Sequence, residues 1–143
     1  MITHQQQPTK TSCGITCVAM LTGAEFEHVY RTIQLVRQPI HSNRKHRTSA
    51  YELRGALQLY GYTLLDCVQV KKSTELPSDA FGLLRVHRMR SSGSYRKGWH
   101  WCAIEGDNVH DPNMFDDIDV YSFFDCDTTT HKIFYYPIKK RSV

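Results

Sequence analysis

Helical periodicity runs from Cys13 to about Tyr60, strand alternation fills most of the chain after it, and no other feature restricts the fold as much as that order. Thr11 or Ser12 can cap a first helix from about Cys13 to Leu21, and Gly23 ends it. Ala24 to Val36 reads as a second helix, with Phe26, Val29, Tyr30, Ile33 and Val36 on one stripe and Pro39 stopping it. Residues 38–47 are polar and basic and read as a loop. Thr48 or Ser49 caps a third helix to about Tyr60, with Leu53, Ala56, Leu57 and Tyr60 on its apolar face and Gly61 closing it. Strands are expected at Thr63–Val70, Gly82–His87, Trp99–Glu105, Val109–Asp111 and Lys132–Ile138, with Ser91–Ser94 as a flexible loop before His100. Helices first and antiparallel strands second predict an α+β domain with the helices packed on one side of the sheet.

At 143 residues the chain reads as one domain, 1–143, able to bury a single core. No apolar run reaches membrane-span length, and the first residues lack the basic-then-apolar pattern of a signal peptide. The five cysteines show no disulfide rhythm, so a reduced, cytoplasmic protein is expected. The net charge of +4 gathers in Arg37–Arg47 and Arg85–Lys97, loops that could face solvent or meet an acidic partner. Arg85, Arg88, Arg90, Arg96 and Lys97 beside Tyr95 and Trp99 are too sparse a signal to predict nucleic-acid binding.

Two segments carry chemistry. In the first, Gln7-Pro-Thr-Lys-Thr-Ser-Cys13-Gly14-Ile-Thr-Cys17, a cysteine opens a helix. A thiol attacks well only as thiolate, and the unpaired N–H groups and dipole of a helix N-terminus favour that charge. Gly14 would let a substrate approach the backbone. Cys17, one turn on and followed by Val18 and Ala19, reads as a small core residue. Alone, Cys13 could equally be a buried thiol. Gln7 adds a side-chain N–H that could converge with the Cys13 N–H on one oxygen, the arrangement of an oxyanion hole. Gln5 and Gln6 are rival donors, and only spacing favours Gln7.

The second segment is His100-Trp-Cys-Ala-Ile-Glu-Gly106-Asp-Asn-Val-His-Asp111-Pro112. Gly106-Asp107-Asn108 is a turn signal, so residues 99–112 read as a hairpin. With a two-residue turn on Gly106-Asp107, residue 105 faces 108 and 102 faces 111. His100 and Asp111 are then diagonal neighbours on one face; a turn on Asp107-Asn108 also keeps them on one face, whereas a three-residue turn would separate them. Asp111 on one imidazole nitrogen would leave the other to take a proton from Cys13.

Gln7, Cys13-Gly14-x-x-Cys17, His100-Trp101 and Asp111-Pro112, in that order, resemble papain-like cysteine peptidases. The likeness is nearest to the double-glycine leader peptidases, which trim bacteriocin and pheromone precursors, and to their stand-alone relatives. It spans most of the chain in motif order but rests on about ten residues. The resemblance implies a helical lobe with the nucleophile at a helix N-terminus against a bent antiparallel sheet that carries the base. It further implies Cys13 as nucleophile, Gln7 as oxyanion donor, His100 as base and Asp111 as orienter, acting on a peptide or protein without cofactor or metal. Ser12 stands where leader peptidases usually carry an acidic residue, the span from His100 to Asp111 is shorter than usual, and nothing in the chain resembles the ABC transporter that such domains often accompany. Two other classes fit less well. One is an inactive papain-like domain that binds a peptide or an acidic protein. The other is a metal module using Cys13, Cys17, His100, Cys102 and His110, which lacks a Cys-x-x-Cys pair.

Overall fold

A computed structural model describes residues 1–37, 47–88, 99–125 and 131–141. Three helices come first, α1 (Cys13–Thr22), α2 (Phe26–Val36) and α3 (Ala50–Leu59). Strands β1 (Tyr62–Leu64), β2 (Val68–Val70), β3 (Phe81–Arg88), β4 (His100–Glu105), β5 (Asn108–His110) and β6 (Ile118–Asp119) follow, then a short α4 (Val120–Asp125) and the long β7 (His131–Lys140). Among the described residues the strands form one antiparallel sheet in the order β1-β7-β3-β4-β5-β6, and β2 also pairs with β7. The sheet is thus built around β7, the last strand in the chain. The fold class is α+β, as the order of periodicities predicts. No helix among the described residues is long and apolar enough to cross a membrane.

Each face of the sheet has its own core. Leu83, Trp101, Ala103, Tyr136 and Ile138 pack with Ile15, Cys17, Val18, Val29, Ile33, Leu53 and Leu57 of the three front helices. On the other face Leu84, Val86, Cys102, Ile104, Val109, Ile133 and Tyr135 pack with Val120 and Phe124 of α4. The expectation of helices on one side therefore holds for α1–α3 and is corrected by α4, which is too short to show helical periodicity in the sequence. Residues 13–21 of α1 are all buried, the pattern of a central helix sheathed on every side. Helix α2 buries only Val29, Thr32 and Ile33 and turns Glu27, Arg31 and Gln34 to solvent.

Local chemistry sets the ends of these elements. Ser49, not Thr48, caps α3: its hydroxyl accepts from the Glu52 N–H while the Glu52 carboxylate accepts from the Ser49 N–H. Helix α2 starts at Phe26, not Ala24, with Glu25 extended before it. The strand expected at Thr63–Val70 is broken in two. Pairing with β7 shifts by one residue between Leu64↔Ile138 and Val68↔Tyr135, a bulge next to Pro137, which has no N–H to give the ladder. Leu65 N–H donates to the Pro137 carbonyl there.

Gly14 is buried against the third helix. A Cβ on it would lie 2.0 Å from Thr48 Oγ1 and 3.0 Å from Trp101 Cδ1. The expectation that this glycine makes room for a substrate is corrected: its missing side chain lets α1 seat against Thr48 and the sheet. Gly14→Ala is expected to cost about 1–3 kcal/mol, as overpacking does. Urea unfolding measures that loss, which should grow with Gly14→Val.

Candidate active site

The β4–β5 hairpin sets the register of the site. Glu105 pairs with Asn108 and Ala103 with His110 around a turn at Gly106, whose φ of 59° suits glycine. This is the two-residue turn that puts His100 and Asp111 on one face. His100 Nε2 donates to Asp111 Oδ1 at 2.6 Å, and the same carboxylate oxygen accepts from the Asn113 N–H at 2.9 Å. The two side chains are 14% and 13% exposed, so the pair is shielded but reachable.

Cys13 occupies the first position of α1 and is 7% exposed. Strand β5 pairs with β4 only as far back as Ala103, so Trp101 has no partner residue on that side. Its N–H donates instead to Cys13 Sγ at 3.4 Å. The Cys102 thiol lies within 4.8 Å of a His100 ring nitrogen, and the Cys13 thiol is near enough to influence the charge on that ring. Burial opposes charge on that ring, yet the hydrogen bond to Asp111, aided by the contacts with Cys102 and Cys13, raises the His100 pKa above its ordinary value. Burial and the Asp111 charge push the Cys102 thiol up to about 11, with His100 pulling the other way. Cys17, one turn behind Cys13, is fully buried, and burial pushes its thiol well above the ordinary value.

Gln7 is tied to the same corner. Its N–H donates to the Pro112 carbonyl at 2.7 Å, next to Asp111. Its Nε2 donates to the Thr9 carbonyl at 2.8 Å, and its Oε1 is buried with no hydrogen-bond partner among the described residues. Gln5 lies against Met20 and Gln6 is exposed. Ser12 precedes α1, but its hydroxyl does not cap the helix. It turns back to Thr9, accepting from that N–H and donating to that carbonyl. The first N–H groups of α1 therefore carry no side-chain cap. Ser12 thus holds the cap position, as expected, but neither it nor Thr11 makes the side-chain hydrogen bond of a cap.

Other expected candidates fall elsewhere. His110 stacks on His4, with the two Nδ1 atoms 3.0 Å apart, and is not part of the cluster formed by His100, Cys102 and Asp111. Arg85 is a strand residue whose guanidinium lies over the Phe134 and Tyr136 rings at 4.9 and 5.2 Å. It belongs to the sheet surface, not to a free basic loop. His87 packs against Trp99 and Phe134. The rest of the two basic stretches, residues 38–46 and 89–98, lies outside the described residues, as does the Ser91–Ser94 loop. Two features of the site are not read from the motifs alone: the Trp101 N–H on Cys13 and the Cys102 thiol against His100. The second could have been found, because the register that faces 102 with 111 also puts Cys102 beside both His100 and Asp111.

No protein-family model matches the chain, and no curated protein matches it. Among solved structures, the peptidase domain of Streptococcus ComA, a bi-functional ABC transporter involved in a quorum-sensing pathway, is similar at a TM-score of 0.53. The match covers 96% of this chain and 99% of that domain, at 14% identity. The fold is that of a papain-like peptidase domain. In this papain-like fold both the helical front and the sheet are covered by the match, and at such low identity the likeness speaks for the architecture.

Proposed function

We propose that this chain is a thiol hydrolase of peptide or isopeptide bonds, with residues 1–143 forming one catalytic unit. The observation that carries the reading is an imidazole held by Asp111 at 2.6 Å on the strand whose next residue, Trp101, hydrogen-bonds the Cys13 thiol at the start of a helix. Cys13 Sγ attacks the amide carbonyl, and the charge that develops on oxygen meets the uncapped N–H of Cys13 and the second N–H of Gln7 Nε2. His100 gives its proton to the leaving amine, a thioester forms, and a water deprotonated by His100 clears it. Asp111 keeps the ring oriented and favours its charged form. The free thiols of Cys13, Cys17, Cys67 and Cys102 suit a reducing compartment, and we place the protein in the cytoplasm on that ground.

Two measurements test the reading. Iodoacetamide at pH 6 should label Cys13 ahead of Cys17, Cys67 and Cys102, since Cys17 and Cys102 are fully buried with raised thiol pKa values. Peptide mapping that finds any of these three labelled first would remove Cys13 as nucleophile. Gln7→Ala should then lower kcat on the order of 10²–10³-fold with the domain still folded, as loss of one oxyanion donor does. A peptide library containing double-glycine sequences supplies the substrate. An unchanged kcat would transfer the donor role away from Gln7.

A further inference from the structure

The proposed hydrolysis uses His100 and Asp111 and has no use for Cys102. An apolar residue would fill that buried position in the second core as well. Instead a thiol sits two residues from His100 on the same strand face. It lies next to Asp111, one residue past the last paired residues Ala103↔His110, and is buried in the second core. One ligand atom from each of His100, Cys102 and Asp111 lies within 4.8 Å of the other two. Imidazole, thiol and carboxylate thus converge from one rigid hairpin, with Cys102 buried beneath and the other two side chains open to entry from solvent.

We propose that His100, Cys102 and Asp111 form a zinc site that silences the thiol chemistry when filled. The donor set of nitrogen, sulfur and oxygen suits this borderline-soft ion. Zinc bond lengths of about 2.0–2.3 Å in a tetrahedron hold ligand atoms roughly 3.3–3.7 Å apart. The 2.6 Å hydrogen bond therefore opens slightly and the other separations, all within 4.8 Å, close by at most about 1 Å, shifts of the size that side-chain rotation gives. On binding, Cys102 releases its thiol proton to solvent, and the metal replaces the proton shared by His100 and Asp111. The fourth position falls to water or to Cys13. With a metal on one nitrogen the other keeps its proton, so the ring can no longer collect one from Cys13. The silencing rests on the thiol hydrolase reading, whereas the metal site rests on the hairpin alone.

The test uses the full chain, reduced and stripped with a chelator. Co2+ should bind at one ion per chain with a thiolate-to-metal band in the near ultraviolet, and Zn2+ should displace it. Cys102→Ala should abolish the band and weaken Zn2+ binding at least about tenfold. Cys13→Ala should keep the band, because Cys102 supplies the sulfur. Zn2+ should slow iodoacetamide labelling of Cys13 in the wild type and leave it unchanged in Cys102→Ala. No Co2+ or Zn2+ uptake, Co2+ bound without the band, or a band lost in Cys13→Ala would each overturn the site. Binding is read without hydrolysis, so its failure and that of the peptidase reading are separate results. If Cys102→Ala does not fold, the wild-type and Cys13→Ala spectra still decide.

Discussion

Cys13→Ala is expected to abolish peptide hydrolysis, a loss on the order of 10⁴-fold or more in kcat/KM, while the domain stays folded. The reason is chemical: among the described residues Cys17 and Cys102 are the nearest thiols, and both are fully buried with raised pKa values. The substitution removes one sulfur and leaves the buried surroundings, including the Trp101 N–H that pointed at it. His100→Ala should be nearly as severe, since it removes both the base for Cys13 and the acid for the leaving amine. Because the two act as a unit, Cys13→Ala/His100→Ala should be little worse than either change alone. Single-turnover and steady-state rates on one peptide measure all three, after circular dichroism has checked folding. A folded Cys13→Ala protein with wild-type hydrolysis would end the enzyme reading and leave a peptide-binding domain.

Breaking the buried ion pair between Arg37 and Glu52 should cause the largest loss of stability. Both side chains are 2% exposed. Arg37 Nε donates to Glu52 Oε2, and Arg37 Nη2 donates to the Arg47 carbonyl at 2.7 Å. Glu52 Oε1 at the same time accepts from the Ser49 N–H. One carboxylate thus ties the end of α2 to the start of α3, and with it Thr48, against which Gly14 is seated. Removing one member leaves the other charge buried, at a cost of about 3–5 kcal/mol. Glu52→Ala should therefore lower Tm by roughly 10–20 °C. Replacing both by apolar residues, as in Arg37→Met/Glu52→Leu, should cost less than Glu52→Ala alone, because no charge is then stranded. Burial resists ionisation of Glu52, but the hydrogen bonds from Arg37 and Ser49 and the Arg37 charge outweigh it and hold the carboxyl below its ordinary range. The unfolded chain then binds the proton more readily than the folded one. This stabilisation is complete above the unfolded pKa of about 4.3 and is lost as pH falls through the folded value. Thermal melts across acid pH should show a steeper fall for wild type than for Arg37→Met/Glu52→Leu. Parallel curves would remove Glu52 as the source.

Much of this protein was legible before its structure, because local rules wrote it. Periodicity placed α1, α2 and α3 to within a few residues, since each must bury one stripe or, for α1, every side. The turn signal at Gly106-Asp107-Asn108 placed the hairpin, and either two-residue turn there sets His100 and Asp111 on one face, because side chains in a strand alternate with a period of two; the structure chose the turn on Gly106-Asp107. Tertiary structure decided what depends on residues far apart in the chain. The sheet is organised around β7, and Pro137 there splits the expected strand at Thr63–Val70, a break invisible in the residues that break. Gly14 serves packing against Thr48 and Trp101, which only the assembled helices bring together. Arg85 reads as part of a basic cluster until the rings of Phe134 and Tyr136, about fifty positions later, are laid beneath it. Cys13 meets the Trp101 N–H because β5 stops pairing at Ala103, leaving one donor of β4 to be satisfied from another element.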